Sequence, residues 1–107
     1  MKKVLWTQVA DVLEEKKAKD IAVFDIRKKS SFSDYIIICT GMSDRQVKAL
    51  AEQVIEAVGK PFGREGVDEG RWVLLDYLDV IVHIMQDDVR KYYDLDGMWL
   101  GAKRLRE

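Results

Sequence analysis

The order of hydrophobic patterns along the chain predicts an α/β fold, a single domain in which a mixed β-sheet of about five strands is flanked by helices. Three observations carry that expectation. Segments of helical period alternate with short runs rich in β-branched residues. The longest apolar run, Arg71 to Met85, has acidic residues only at its midpoint, Asp76 and Asp79, and reads as two antiparallel strands joined by a tight turn at the centre of a sheet. A length of 107 residues gives room for one domain with its own core and no need of staples.

The elements follow in order. Val4, Leu5, Val9, Val12 and Leu13 fall at helical spacing ahead of Lys16-Lys17, whose charges favour the negative pole of a helix, so a first helix is expected over 4–17. Ile21 to Ile26 reads as a strand, interrupted at Asp25, and Arg27 to Ser31 as a polar link whose basic residues could touch RNA, although a solvated loop explains them better. Tyr35 to Thr40 carries β-branched residues on both faces, which predicts a strand covered on two sides. Ser43-Asp-Arg-Gln46 has the form of a capping box. The helix it opens carries the stripe Val47, Leu50, Ala51, Val54, Ile55 and Val58 and stops at Gly59 and Pro61. A short strand around Phe62 to Glu65 and a glycine-punctuated turn lead into the hairpin, Trp72 to Tyr77 and Val80 to Met85. After it, Asp87 or Asp88 is placed to cap a short helix bearing Val89, Tyr92 and Tyr93. Leu95, Met98 and Trp99 anchor an irregular tail, and residues from about 100 onward, Lys103 to Glu107 above all, are expected to fray.

Composition narrows the function. Eighteen basic against 19 acidic side chains leave a net charge of -1, which argues against a protein whose main affinity comes from neutralising phosphates. Cys39 is the single cysteine, so no intrachain disulfide forms, and a reducing cytoplasm is the expected location. No apolar run approaches the ~20 residues of a spanning helix, and acidic Asp11 and Glu14 come too early for a signal peptide, so the mature chain is expected to be the whole chain.

Chemistry is thinly represented. Thr40-Gly-Met-Ser-Asp44 places free amides at a helix start, but neither phosphate-loop nor dinucleotide glycine pattern is present, and a capped helix explains it better. Asp76 and Asp79 have the oxygen ligands a divalent cation needs, yet turns recruit aspartate for its hydrogen bonds to the backbone. His83 has no second ligand at metal spacing, and Cys39 sits in an apolar run without a base. No catalytic residue, metal or cofactor is expected. What stands out is Trp72, Tyr77, Tyr92, Tyr93 and Trp99 gathered with Asp76, Asp79 and Arg90 in the last third. Strand parity puts Trp72, Leu74 and Asp76 on one face, either a second core layer or a docking surface, and Trp, Tyr and Arg are the usual anchors of interfaces.

Ser33-Asp-Tyr-Ile-Ile-Ile-Cys-Thr-Gly-Met-Ser-Asp-Arg-Gln-Val47, Glu65-Gly66, Trp72-Val-Leu-Leu-Asp76, Asp79-Val-Ile-Val-His83 and Arg90-Lys-Tyr-Tyr-Asp-Leu95 with Trp99 resemble, in register, the ribosomal silencing factor family, also called Iojap. The resemblance implies a topology related to nucleotidyltransferases and a cytoplasmic, non-catalytic factor with a tendency to dimerise. Such a factor binds ribosomal protein fourteen of the large subunit, with little direct RNA contact, and blocks joining of the small subunit when nutrients are scarce. Trp72 matches the family's contact tryptophan, with Glu65, Asp76 and Asp79 as acidic neighbours, and Leu74, His83, Arg90 and Tyr93 complete the expected partner surface. Two departures stand out: Leu78 replaces the family's usual glycine before the second aspartate of the turn, and the link from the second helix to Glu65 is shorter. The competing readings are a large-subunit assembly factor and a small metal-dependent nucleotidyl- or phosphoryl-transfer enzyme using Ser43, Asp76 and Asp79.

Overall fold

A computed structural model describes residues 4–106. Helix α1 (Leu5–Glu15), strands β1 (Lys19–Asp25) and β2 (Tyr35–Gly41), helix α2 (Asp44–Val58), strands β3 (Gly63–Glu65), β4 (Trp72–Asp76) and β5 (Val80–Gln86), helix α3 (Asp87–Tyr93), a 3₁₀ turn (Leu95–Trp99) and strand β6 (Lys103–Arg106) follow one another. The strands form one six-stranded sheet in the order β3-β4-β5-β2-β1-β6. Only β2 and β5 run parallel; every other neighbouring pair is antiparallel, so the sheet is mixed.

Each face has its own core. On one, Val9, Leu13, Val23, Ile37, Leu50, Val54, Val73, Leu75, Val82 and Ile84 are buried beneath α1 and α2. Full burial of such a side chain stabilises by about 1.5–3 kcal/mol. On the other, Ala22, Phe24, Ile36, Ile38, Ile81 and Met85 pack under α3 and the 3₁₀ turn through Val89, Leu95 and Trp99. With β2 and β5 between two layers, their continuous apolar runs are required, which is why neither alternates. β4 does alternate, Val73 and Leu75 buried against Trp72, Leu74 and Asp76 half-buried, because α3 covers it only in part, through Tyr93 on Trp72.

The capping box forms with a variation. Ser43 Oγ accepts from the Gln46 amide at 3.1 Å, while Gln46 Oε1 reaches one residue beyond the cap to the Met42 amide at 2.6 Å. Helix α1 ends earlier than its lysine pair suggests: Lys17 adopts φ +68°, its amide bonding Glu14 O and that of Ala18 bonding Leu13 O, the paired bonds of a Schellman stop. The two lysines therefore lie beyond the last turn. Asp87 and Asp88 occupy the first turn of α3 behind the cap residue Gln86, where they meet the positive end of the helix without capping it.

The largest departure is at the end of the chain. Instead of fraying, Lys103–Arg106 adds a sixth strand to the edge of β1, Phe24 opposite Arg104 and Asp25 opposite Lys103. Its sequence has one apolar residue, Leu105, so hydrophobic pattern does not reveal it. Arg106 fixes the strand by bonding Asp11 at 2.9 Å and also Glu14, both on α1. Glu107, at the end of the same expected frayed segment, lies outside the described residues.

Candidate protein-docking face

Five of the residues singled out from the sequence meet on the sheet face that α3 covers incompletely. Register fixes their positions: Glu65 on β3 lies beside Leu74 on β4, Leu74 beside His83 on β5, and His83 beside Ile38 on β2. This row runs from the open edge of the sheet into the second core. Trp72, two residues before Leu74 on the same face, is half-buried. It stands where the covered part of the face gives way to the open part.

Trp72 is held from two sides. Its indole Nε1–H donates to His83 Nδ1 at 2.9 Å, and its ring leans on that of Tyr93 with centroids 5.1 Å apart. Tyr92 packs edge-on against Tyr93 at 4.9 Å. His83 is 6 % exposed, and burial lowers its pKa to about 4, so near neutral pH it is uncharged. Because Nδ1 accepts from the indole, the imidazole proton resides on Nε2. The histidine is a fixed acceptor for the tryptophan.

A cleft opens on each side of the indole. One, ≈ 510 Å³, is lined by Arg71, Trp72, Asp88, Val89, Tyr92 and Tyr93, with an Arg71–Asp88 ion pair of 2.8 Å at its rim. The other, ≈ 360 Å³, is lined by Glu65, Gly66, Trp72 and Leu74. A tryptophan ridge between two shallow depressions, with Tyr92 82 % and Tyr93 57 % exposed beside it, is a shape that a partner's side chains can interlock with.

The remaining predicted residues separate from this group. Asp76 shares the face by parity, but its Oδ1 accepts from the Leu78 amide at 2.8 Å and closes the turn. Asp79 lies in the turn, its carbonyl accepting from the amides of Asp34 and Tyr35. Arg90 is a half-buried residue of α3: its guanidinium donates to Asp20 O at 2.7 Å, Thr40 Oγ1 at 2.9 Å and both carboxylate oxygens of Asp96. It fastens α3 to the ends of β1 and β2. Gly66 and Arg71 are the members of the face that residue type alone did not select, whereas Tyr92 stood among the aromatics already singled out. Gly66 was legible as half of a Glu-Gly pair: it has φ +79°, and a Cβ there would collide with the Trp72 carbonyl oxygen.

The side chains of the enzyme reading are not brought together. Ser43 follows the carboxyl end of β2, while Asp76 is level with Ile81 and Ile36 at the opposite end of the sheet. Five strand residues, about 16 Å, separate the two levels. Among the described residues no group of three or more His, Cys, Asp or Glu side chains is placed to hold a metal. Cys39 is wholly buried, and burial pushes its thiol up to about 12. Among the described residues no helix is long and apolar enough to cross a membrane.

Comparison with known proteins places this arrangement in a family. A family model described as ribosomal silencing factor during starvation matches residues 2–107. A ribosomal silencing factor of Haemophilus influenzae is 44% identical over 93 residues, covering 83% of this chain and 91% of its own. A crystal structure of a Chromobacterium violaceum protein, 42% identical, superposes with a TM-score of 0.84 over 92% of this chain and 85% of that one. A more distant mouse protein, called mitochondrial assembly of ribosomal large subunit protein 1, is 24% identical over 98 residues, which are 85% of this chain and 43% of the mouse protein.

Proposed function

The chain belongs to the ribosomal silencing factor family, and from that premise we propose that it represses translation without catalysis, by seating its Trp72 face on a basic protein of the large ribosomal subunit. By resemblance to the family, that protein is ribosomal protein fourteen. The observation that carries the reading is the half-buried indole, held at a set angle by His83 and Tyr93 between two clefts. Aromatic anchors in partly desolvated pockets supply most of the energy of protein interfaces. Glu65, Asp68 and Glu69 beside the second cleft outnumber Arg64 there and give that side the sign that a basic partner needs, while Asp88 at the first cleft is paired with Arg71. Such rim charges act more on encounter rate and orientation than on final affinity.

Repression is then steric. A folded body of 12.4 kDa on the joining side of the large subunit occupies space that the small subunit requires. No substrate, metal or nucleotide takes part, and the site of action is the cytoplasm. Sucrose gradients of purified subunits test this: added protein should leave free subunits at the expense of joined ribosomes and should travel with the large subunit. Undiminished joining at saturating protein would refute the repressor reading. The name of the mouse relative favours assembly as a second reading. Immature large particles accumulating in cells lacking the protein, with joining of mature subunits unaffected by it, would support that reading instead.

A further inference from the structure

Charge is unevenly spread between the two edges of the sheet, although the whole chain carries a net -1. The acidic surround of Trp72 lies at the β3–β4 edge of the sheet. At the opposite edge, the link after β1 and the approach to β6 enclose a cleft of ≈ 610 Å³ lined by Arg27, Lys28, Lys29 and Lys103, with Asp25 its single carboxylate. That carboxylate is already engaged. The Arg27 guanidinium donates to it at 3.0 and 2.7 Å, and these bonds hold the Asp25 carboxyl down at about 2. Lys28, Lys29 and Lys103 form no ion pair among the described residues. The ammonium of Lys29 lies across Gly101, where any Cβ would meet it, so cationic groups converge on the cleft from both walls. Phe32, 61 % exposed, extends from the same link and leans on Trp99 with ring centroids 6.2 Å apart.

We infer that this basic corner is a second contact of the bound protein, taking the phosphate backbone of RNA through Lys28, Lys29 and Lys103. The inference rests on the large-subunit reading above, because a ribonucleoprotein partner places phosphates around any protein that the Trp72 face grips. Four strand spacings, about 19 Å, separate β4 from β6, so the two contacts do not overlap and together fix the orientation of the seated protein. The overall charge balance, read from the sequence as disfavouring RNA, limits the strength of this contact and leaves its location open.

The test is the salt dependence of binding. Fluorescently labelled full-length protein is titrated with purified large subunits at fixed magnesium and at potassium concentrations between about 50 and 300 mM, because each phosphate contact adds about 0.7–0.9 to the slope of log affinity against log salt. A chain carrying Lys28→Gln, Lys29→Gln and Lys103→Gln should show a slope lower by about 2 and an affinity at the lowest salt weaker by roughly tenfold or more. Its affinity for the isolated ribosomal protein should equal that of the unaltered chain. Equal slopes for the two chains on whole subunits would overturn the RNA contact and leave the Trp72 reading standing. A lysine effect that persists on the isolated protein would reassign the cleft to protein carboxylates. Failure of the unaltered chain to bind subunits at all would remove the docking reading and this contact with it.

Discussion

Replacing Trp72 with alanine separates a docking role from a core role. In the free protein the substitution removes the indole bond to His83, about 1 kcal/mol, and half-buried ring packing against Tyr93, about 1–2 kcal/mol. The total of roughly 2–3 kcal/mol is a fraction of the 5–15 kcal/mol typical of a small domain. Circular dichroism should therefore show a folded protein whose melting temperature is lower by on the order of 10 °C. Binding should suffer more. Truncating an aromatic anchor costs 2 kcal/mol or more, which raises Kd by at least about 30-fold and removes the protein from the large-subunit peak in co-sedimentation. A folded Trp72→Ala chain that still co-sediments stoichiometrically would refute the docking role. A chain that no longer folds would return the indole to the core, and Trp72→Phe, which keeps a ring but not the donor, would then be the variant to compare.

Three further consequences concern residues around the same face. Burial lowers the pKa of His83 from 6.5 to about 4, so the native state binds fewer protons than the unfolded chain between those values. This stabilisation is whole above pH 6.5 and is lost as pH falls through 4, a change of about 3 kcal/mol; urea melts should record it in the unaltered chain, and His83→Phe should remove that part of the pH dependence. Leu78 holds φ +70° in the turn, so Leu78→Gly should relieve about 1 kcal/mol and raise the melting temperature by a few degrees, whereas a lower one would mean that the leucine packing outweighs the strain. Gly66→Ala should do the reverse, because its methyl group would push β4 out of place at Trp72 and weaken both stability and subunit binding; unchanged binding would show that the second cleft is not part of the contact.

Which of these features were legible in the sequence depended on whether hydrophobic pattern or particular tertiary partners decided them. Periodicity and capping chemistry specified α2 almost to the residue, and the β4–β5 hairpin followed from an apolar run with acidic residues at its midpoint, although the centre of the sheet is the parallel pair of β5 and β2 and not the hairpin itself. β6 was not legible, since its order comes from ladder bonds to β1 and from Arg106 reaching α1 across the sequence. The same distinction divides the candidate site. Strand parity placed Trp72 and Leu74 on one face, with His83 beside them once register was known. Arg90 was read as an interface residue because arginine near aromatics is common at interfaces; only the fold reveals that Asp96, Thr40 and Asp20 already satisfy it. Leu78 stands where the resemblance leads one to expect glycine, and its positive φ is the conformation that glycine adopts most readily.

The proposal that the Trp72 face docks on the large subunit is tested most directly by hydroxyl-radical footprinting of the complex, read by mass spectrometry at each aromatic residue. Trp72 and Tyr93 should lose reactivity on binding, while Trp6, which packs against Tyr35 on the α1 side of the sheet, should keep its own. Trp72 and Tyr93 oxidised at an unchanged rate in protein that co-purifies with the subunit would contradict docking through this face.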